Sequence, residues 1–388
     1  MSKETRKLIY LTHTRVPSEK TPSPFILKTC EGFVAEGWDA ELWAAQRRNP
    51  DFEEIDPFEH HGVKTRVPIQ RLFTVDLIVA LGGIGFVLMV ITYNISVAAQ
   101  LWRRRNEKDL VVYAHDLRDL ILPILVGIPT FCEIHDYYES SMPLLSRFVI
   151  RRVKGLVVTN SIKMTHLHER YGVEMEKMLM QPNAVDFAFF HTALSQNDAR
   201  EEIGIPQGRR VVMYTGHAYP WKGVYTLAEA AAFLGDTYLY FVGGTVEDQE
   251  RLHAFVQEKN LPRIVLIPHQ SHARIPLYLR AADVLVLPNT AKETASREET
   301  SPVKLFEYAA SGRPIVASDL PSIRDLVSDE EVFFAHPDNP VDFARAIEMA
   351  ENTEAAGAKV IAAERFARNN GWDARAKTIG DFVERLMA

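Results

Sequence analysis

The segment Glu299-Thr300-Ser301-Pro302-Val303-Lys304-Leu305-Phe306-Glu307 holds two carboxylates with seven residues between them, and a lysine between the two. Ser301 suits a helix N-cap, Pro302 the first helical position, and Gly312 the C-terminal cap ahead of a strand at Ile315 to Ala317. A helix opening at the end of a loop presents unpaired backbone N–H groups and a positive dipole end. Ser301, Pro302, Val303 and Lys304 are therefore expected to seat a diphosphate, with Lys304 adding a full charge. Glu307, further along the helix, could accept hydrogen bonds from a ribose diol, and Glu299, in the loop ahead of it, could meet sugar hydroxyls. The bland alternative is a capped surface helix with solvated glutamates.

Other residues with chemical potential carry weaker arguments. His115-Asp116 follows a strand and could line a cleft or serve as a satisfied structural pair. Glu59-His60-His61 is expected to be a solvated loop, because adjacent histidines rarely chelate one ion. Cys30 and Cys132 lie far apart without metal-ligand spacing, so neither a disulfide framework nor a zinc site is expected, and a reducing cytoplasm fits.

Elements that could position such residues follow from the apolar pattern. Val211 to Tyr214, Tyr238 to Val242, Ile264 to Ile267 and Asp283 to Leu287 are short apolar runs, separated by helix-period segments such as Thr226 to Leu234 and Val246 to Gln257. This alternation predicts βαβ units around a parallel sheet. The first half repeats it less regularly, with Leu8 to Leu11, Ala40 to Trp43, Leu110 to Tyr113, Phe131 to Ile134 and Leu156 to Thr159 as strands. At 388 residues two domains are expected. The expected fold class is α/β, with two Rossmann-like doubly wound domains facing a cleft: 1–192 joined by a C-terminal helix at about 372–388, and 193–371, with the seam near Ala193 to Gly208. Ligands of such sheets sit beyond the carboxyl ends of strands.

The net charge of −7 argues against a nucleic-acid partner. The N-terminus lacks the length and cleavage pattern of a signal peptide. From Leu77 to Trp102 the chain has no Asp, Glu, Lys or Arg, and Arg103-Arg104-Arg105 follow at once. The run is long enough to span a bilayer, yet Gly82, Gly83, Gly85, Thr92, Asn94, Ser96 and Gln100 interrupt it. Three readings stand open: a span, a patch meeting a membrane surface or lipid acceptor, and a buried pair of helices.

The segment from Glu299 to Gly312 closely resembles the paired-glutamate motif of family 4 retaining glycosyltransferases with the GT-B fold. Further segments match in the order of that family. Tyr214-Thr215-Gly216-His217-Ala218-Tyr219-Pro220-Trp221-Lys222-Gly223 resembles the glycine-rich turn whose lysine binds donor phosphates. Glu133-Ile134-His135-Asp136 resembles the strand end whose histidine lies beside the donor sugar; Asp136 there could orient an acceptor or merely cap the following helix. Pro182-Asn183-Ala184-Val185-Asp186 is similar to a linker element, and Gly371-Trp372-Asp373 with Arg375-Ala376 to a helix crossing back to the first domain.

The resemblance implies a retaining, metal-independent hexosyltransferase that moves a sugar from a UDP- or GDP-linked donor to a glycan, lipid-linked or small-molecule acceptor. His135 and Glu299 would be catalytic; Gly216, His217, Lys222, Ser301 to Lys304 and Glu307 would bind the donor. No two aspartates are separated by one residue, so the Asp-any-Asp metal signature of the other major glycosyltransferase fold is absent, and neither cofactor nor metal is expected. Two departures stand out. His217 occupies a place where the family often has arginine, and Thr14 to Lys20 stands where many members place glycines; Arg15 or Lys20 could substitute there. Trp221 is expected to pack the turn. A nucleotide-sugar epimerase of the same fold and a non-catalytic nucleotide-binding partner protein are the alternatives. A cytoplasmic location, peripheral at the inner face of a membrane if the apolar run engages it, is expected.

Overall fold

The computed structural model describes residues 6–18, 22–135, 143–351 and 353–388. Asp136, Glu19 and Lys20 lie outside the described residues. The chain divides into two compact units, Met1–Gln181 with Trp372–Ala388, and Pro182–Gly371. This division falls ahead of the seam expected near Ala193 to Gly208, and the reason is local. Val185 N–H donates to Asn370 O at 3.0 Å, Val185 bridges Gly371, and the Asn183 side chain donates to Ser301 O. Pro182 to Asp186 is thereby tied into the second unit.

Among the described residues, the first unit holds a seven-stranded sheet. Its strands are β1 (Lys7–Thr12), β2 (Asp39–Ala45), β3 (Ile69–Leu72), β4 (Leu110–Ala114), β5 (Thr130–Ile134), β6 (Gly155–Val158) and β7 (Met178–Met180). They are parallel in the order β3-β2-β1-β4-β5-β6-β7. The second unit holds β8 (Val211–Thr215), β9 (Tyr238–Val242), β10 (Ile264–Ile267), β11 (Val284–Leu287), β12 (Ile315–Ser318) and β13 (Phe333–Ala335), in the order β10-β9-β8-β11-β12-β13 and also parallel. Both are doubly wound α/β sheets.

Near-continuous apolar strands fit this arrangement because each sheet is covered on both faces. In the first unit Ile9, Leu11 and Val112 share a core with Tyr93 and Val97, while Leu8, Tyr10 and Val111 point to the opposite core with Ile26, Phe33 and Phe382. In the second, Met213 and Leu285 pack with Leu305 and Phe306; Val212, Val284 and Val286 pack with Leu227 and Phe343. The strand order reverses between β1 and β4 and between β8 and β11, so crevices form beyond those strand ends.

The helix Trp372–Met387 packs against the helix Pro22–Ala35 in the first unit. A methyl on Gly32 would stand 2.7 Å from Ala376 Cβ, so the close crossing depends on that glycine. The apolar run forms one helix, Ile78–Arg104, broken at Gly82 where φ is 53° and ψ −124°. Two helical pieces thus meet at a kink, and the reading of a buried pair is corrected in its burial: much of the run is exposed. Met89, Tyr93, Val97 and Leu101 are buried in the core, while the opposite face is exposed. The helix is long and apolar enough to cross a membrane by length and composition. One face is nevertheless committed to protein: the Tyr93 hydroxyl donates to Trp43 O at 2.7 Å and accepts from Thr12 N–H at 2.9 Å.

Candidate functional site

In the second unit β8 ends at Thr215 and the chain turns at Gly216, whose φ of 109° lies in the region that favours glycine. A methyl there would meet Lys304 Cε at 2.6 Å and Nζ at 2.7 Å, so glycine lets the ammonium lie over the backbone. Gly223, with φ 69°, closes the same turn; a methyl on it would fall 1.7 Å from Pro288 O beyond β11. Two tyrosines then tie the turn to the helix Val303–Ala310. Lys304 Nζ donates to the Tyr214 hydroxyl at 2.6 Å, and that hydroxyl donates to His217 O at 2.6 Å. The Tyr308 hydroxyl accepts from Thr215 N–H at 2.9 Å.

Three of the expected donor-binding groups are thus brought into one electrostatic neighbourhood. Burial drives the Lys304 amine well below its ordinary range, the Lys222 charge pushes it the same way, and Glu307 opposes them. Burial lowers Lys222 to about 8. Its Nζ stands 3.5 Å over the Trp221 ring, and Trp221 O accepts from Thr290 N–H at 3.3 Å, so Trp221 packs the turn. Burial raises the Glu307 carboxyl to about 7, against the pull of Lys304. Lys222, Lys304 and Glu307 all remain half-buried rather than sealed. Each is shifted toward its neutral form, as expected of charges drawn partly from water without full compensation.

The helix start differs from the expectation. Pro302, not Ser301, is the N-cap, no side chain caps it, and Val303 is the first helical residue. Ser301 is diverted: its hydroxyl accepts from Asn183 N–H at 3.3 Å and its carbonyl from the Asn183 amide. Ser301 thus tethers the loop to Pro182–Asp186, and the N–H groups of Val303 and Lys304 belong to the unpaired first turn. Gly312 follows the C-cap Ser311 with φ 70°. Glu299 ends a π-helical turn, Ala295–Glu299, and is half-buried. Its neighbour Glu298 is gripped by Arg297, with bonds of 2.9 and 2.7 Å. His217 is half exposed, stacks on Tyr219 at 4.9 Å and approaches Asp248 Oδ2 at 3.1 Å. Asp248 also holds Arg251 and the start of the helix Val246–Glu258.

In the first unit, His135 follows β5 and its Nε2 lies 2.8 Å from Glu133 Oε1. Phe25 meets the imidazole edge-on at 4.5 Å, and Lys163 donates to His135 O. Glu133 is fully buried, ion-paired with Arg375 and bonded by the Tyr113 hydroxyl at 2.7 Å. Burial alone would raise its carboxyl, but Arg375, then His135 and Tyr113, hold it down at about 2. His115 bonds the Tyr10 hydroxyl at 3.3 Å, and burial lowers it to about 4. A group not anticipated from sequence sits nearby: His13 Nδ1 lies 2.8 Å from buried Asp119, with Asp116 beyond it, paired to Arg118. Only its position after β1 could have signalled it. His61 Nε2 contacts Ser23 Oγ at 2.9 Å. Among the described residues no group of three or more His, Cys, Asp or Glu could hold a metal ion.

All the expected donor-binding residues lie in the second unit. Residues 195–370 match the family model described as glycosyl transferases group 1. His135 lies outside that match. The chain is 25% identical over 207 residues to a putative teichuronic acid biosynthesis glycosyltransferase, TuaH, of Bacillus subtilis, covering 52% of this chain and 49% of the relative. It is 26% identical over 262 residues to a UDP-Gal:alpha-D-GlcNAc-diphosphoundecaprenol alpha-1,3-galactosyltransferase of Escherichia coli, covering 61% and 65%. The matches thus span about half to two-thirds of these curated relatives. Among solved structures, sucrose-phosphate synthase from Thermosynechococcus elongatus superposes with a TM-score of 0.77 at 17% identity, over 98% of this chain and 99% of that one. Anabaena HepE, in complex with UDP-glucose, gives 0.73 at 17%, over 98% and 99%. The fold is that of GT-B glycosyltransferase structures, two doubly wound α/β units in one chain.

Proposed function

We propose that the protein is a glycosyltransferase that takes its sugar from a UDP- or GDP-linked donor and passes it to a glycan, lipid-linked or small-molecule acceptor. The observation that carries this reading is the Lys304 amine lying over Gly216 at the end of β8 and bonded to Tyr214, with Lys222 and Glu307 close enough to act on its charge. Breaking a sugar–phosphate bond leaves negative charge on the nucleotide, which fixed cations and backbone N–H groups stabilise without a covalent step. Lys222, Lys304 and the first turn of Val303–Ala310 would carry that charge. Glu307 would anchor the ribose, and Glu299 would meet sugar hydroxyls.

The family match over residues 195–370 supports the same assignment, as do curated relatives that are glycosyltransferases. His135, oriented by Glu133, would lie beside the donor sugar, with the acceptor hydroxyl attacking on the leaving-group side so that configuration is retained and no metal ion is needed. The two cysteines are both buried and free, in keeping with a cytoplasmic setting.

The test is acceptor-dependent release of UDP or GDP. Lys222→Ala and Glu307→Ala are each expected to lower kcat/KM by about 10²-fold or more, with the anomeric product read by NMR. Unaltered turnover in both variants overturns the site. Consumption of donor without acceptor would reveal an epimerase instead.

A further inference from the structure

The exposed face of the helix Ile78–Arg104 repeats with one period. Ile84, Val87, Ile91, Ile95, Ala99 and Trp102 are all exposed, and the eighteen steps from the first to the last make about five turns, about 27 Å of one stripe. The opposite stripe, through Met89, Tyr93, Val97 and Leu101, is buried in the first unit. An ordinary surface helix reverses this pattern on its solvent side. Beyond the break at Gly82, Val79 is 96% exposed and Leu81 48%. Phe73, whose carbonyl accepts from the Ser96 hydroxyl at 2.8 Å, adds a ring that is 66% exposed, and Leu125 stands 65% exposed on the neighbouring helix Ile121–Val126. Contiguous apolar surface of this kind marks a docking site.

Charge selects the occupant. The stripe itself carries no ionisable group from Leu77 to Trp102, and its C-terminal end carries Arg103 and Arg105. Among the described residues neither arginine is in an ion pair: Arg103 donates to Gln100, and Arg105 donates to Trp102 O and lies 4.2 Å over the Trp102 ring. Glu41 and Glu107, beside that end, are both taken by Arg104. An aromatic residue beside uncompensated arginines at the rim of an aliphatic stripe fits the interface of an anionic bilayer, where the ring sits among headgroups and the cations meet phosphates.

We infer that this helix docks the protein onto an anionic lipid surface, lying in the interface with its buried face held by the first unit. The inference stands apart from the glycosyl-transfer reading, because it concerns a different surface.

Flotation of the full chain with vesicles tests it. The protein is expected to float with vesicles of equal parts phosphatidylcholine and phosphatidylglycerol, and much less with phosphatidylcholine alone. Arg103→Gln with Arg105→Gln should weaken partitioning roughly 30-fold, at about tenfold per 1.4 kcal/mol and about 1 kcal/mol per cation. Ile91→Glu with Ile95→Glu should abolish it while the circular dichroism spectrum and Tm stay unchanged. Brominated lipid should quench tryptophan emission in the parent and not in Trp102→Phe. A parent chain that stays soluble with both vesicles overturns the inference. So does concentration-dependent dimerisation that the Ile91→Glu, Ile95→Glu variant loses without any vesicle binding, which would give the stripe to a second copy.

Discussion

The two units hold their charged groups in opposite ways. Around His135, each charge has a designated partner: Glu133 is ion-paired with Arg375, which is 1% exposed, bonded by Tyr113 and approached by His135, and its carboxyl is driven to about 2, deep in the ionised range. Around Gly216, Lys222 and Glu307 are drawn toward neutrality, at about 8 and about 7, and Lys304 falls well below its ordinary value. A saturated network fixes geometry, whereas an unsaturated one leaves electrostatic work for a ligand to complete. The same sheet topology thus carries an ion-paired carboxylate in one unit and, in the other, the shifted charges proposed to meet the donor.

That contrast can be broken first in the first unit. Arg375→Met leaves Glu133 buried without its ion pair and is expected to cost about 3–5 kcal/mol of stability, read by urea unfolding, with Glu133→Gln in the same chain recovering part of it. The acid side has a defined sign. Because the folded carboxyl is held down at about 2, its contribution is fully present above the ordinary carboxylate value of ~4.3 and is lost as pH falls from there through about 2.

In the second unit, on the proposed donor site, the effect should fall on binding and on its pH profile. Diphosphate affinity on the proposed site needs Lys222 and Lys304 protonated and Glu307 ionised, so binding of UDP or GDP by calorimetry should weaken below about pH 7 and, as the two amines lose their protons, weaken again by about pH 8. Glu307→Gln is expected to flatten the acid limb and Lys222→Met the alkaline one, each lowering peak affinity by about tenfold. The smallest effect belongs to His217. Arg in its place supplies permanent charge at a half-exposed position, and the gain in affinity should stay within about fivefold. A larger change would mean that Asp248, which His217 meets at 3.1 Å, belongs to the seat itself.

Legibility from sequence followed the range of the interactions. Central strands such as Val211–Thr215 and Tyr238–Val242 declared themselves by apolar runs, because both of their faces are covered. β3, β7 and β13 did not: they are short strands at sheet edges, and Ile69-Gln70-Arg71-Leu72 takes its register from β2. The turn at Gly216 and the helix after Pro302 were readable because a glycine turn and a helix start are local patterns. Ser301 looked like a cap for the same reason, but it is bonded instead to Asn183, 118 positions away, and Pro302 is the N-cap. Arg375 gave no local sign that it would meet Glu133 across 242 positions. The apolar run disclosed its composition, but which face met the core was decided by Tyr93 reaching Trp43 and Thr12.

The return of residues 372–388 to the first unit sets an order of assembly on the ribosome. The second unit is one uninterrupted stretch, Pro182–Gly371, and can close as soon as it has emerged. The first unit, although synthesised earlier, must wait with Glu133 uncompensated and the Gly32 contact vacant until Arg375 and Ala376 follow. The part of the chain made first is therefore the part finished last.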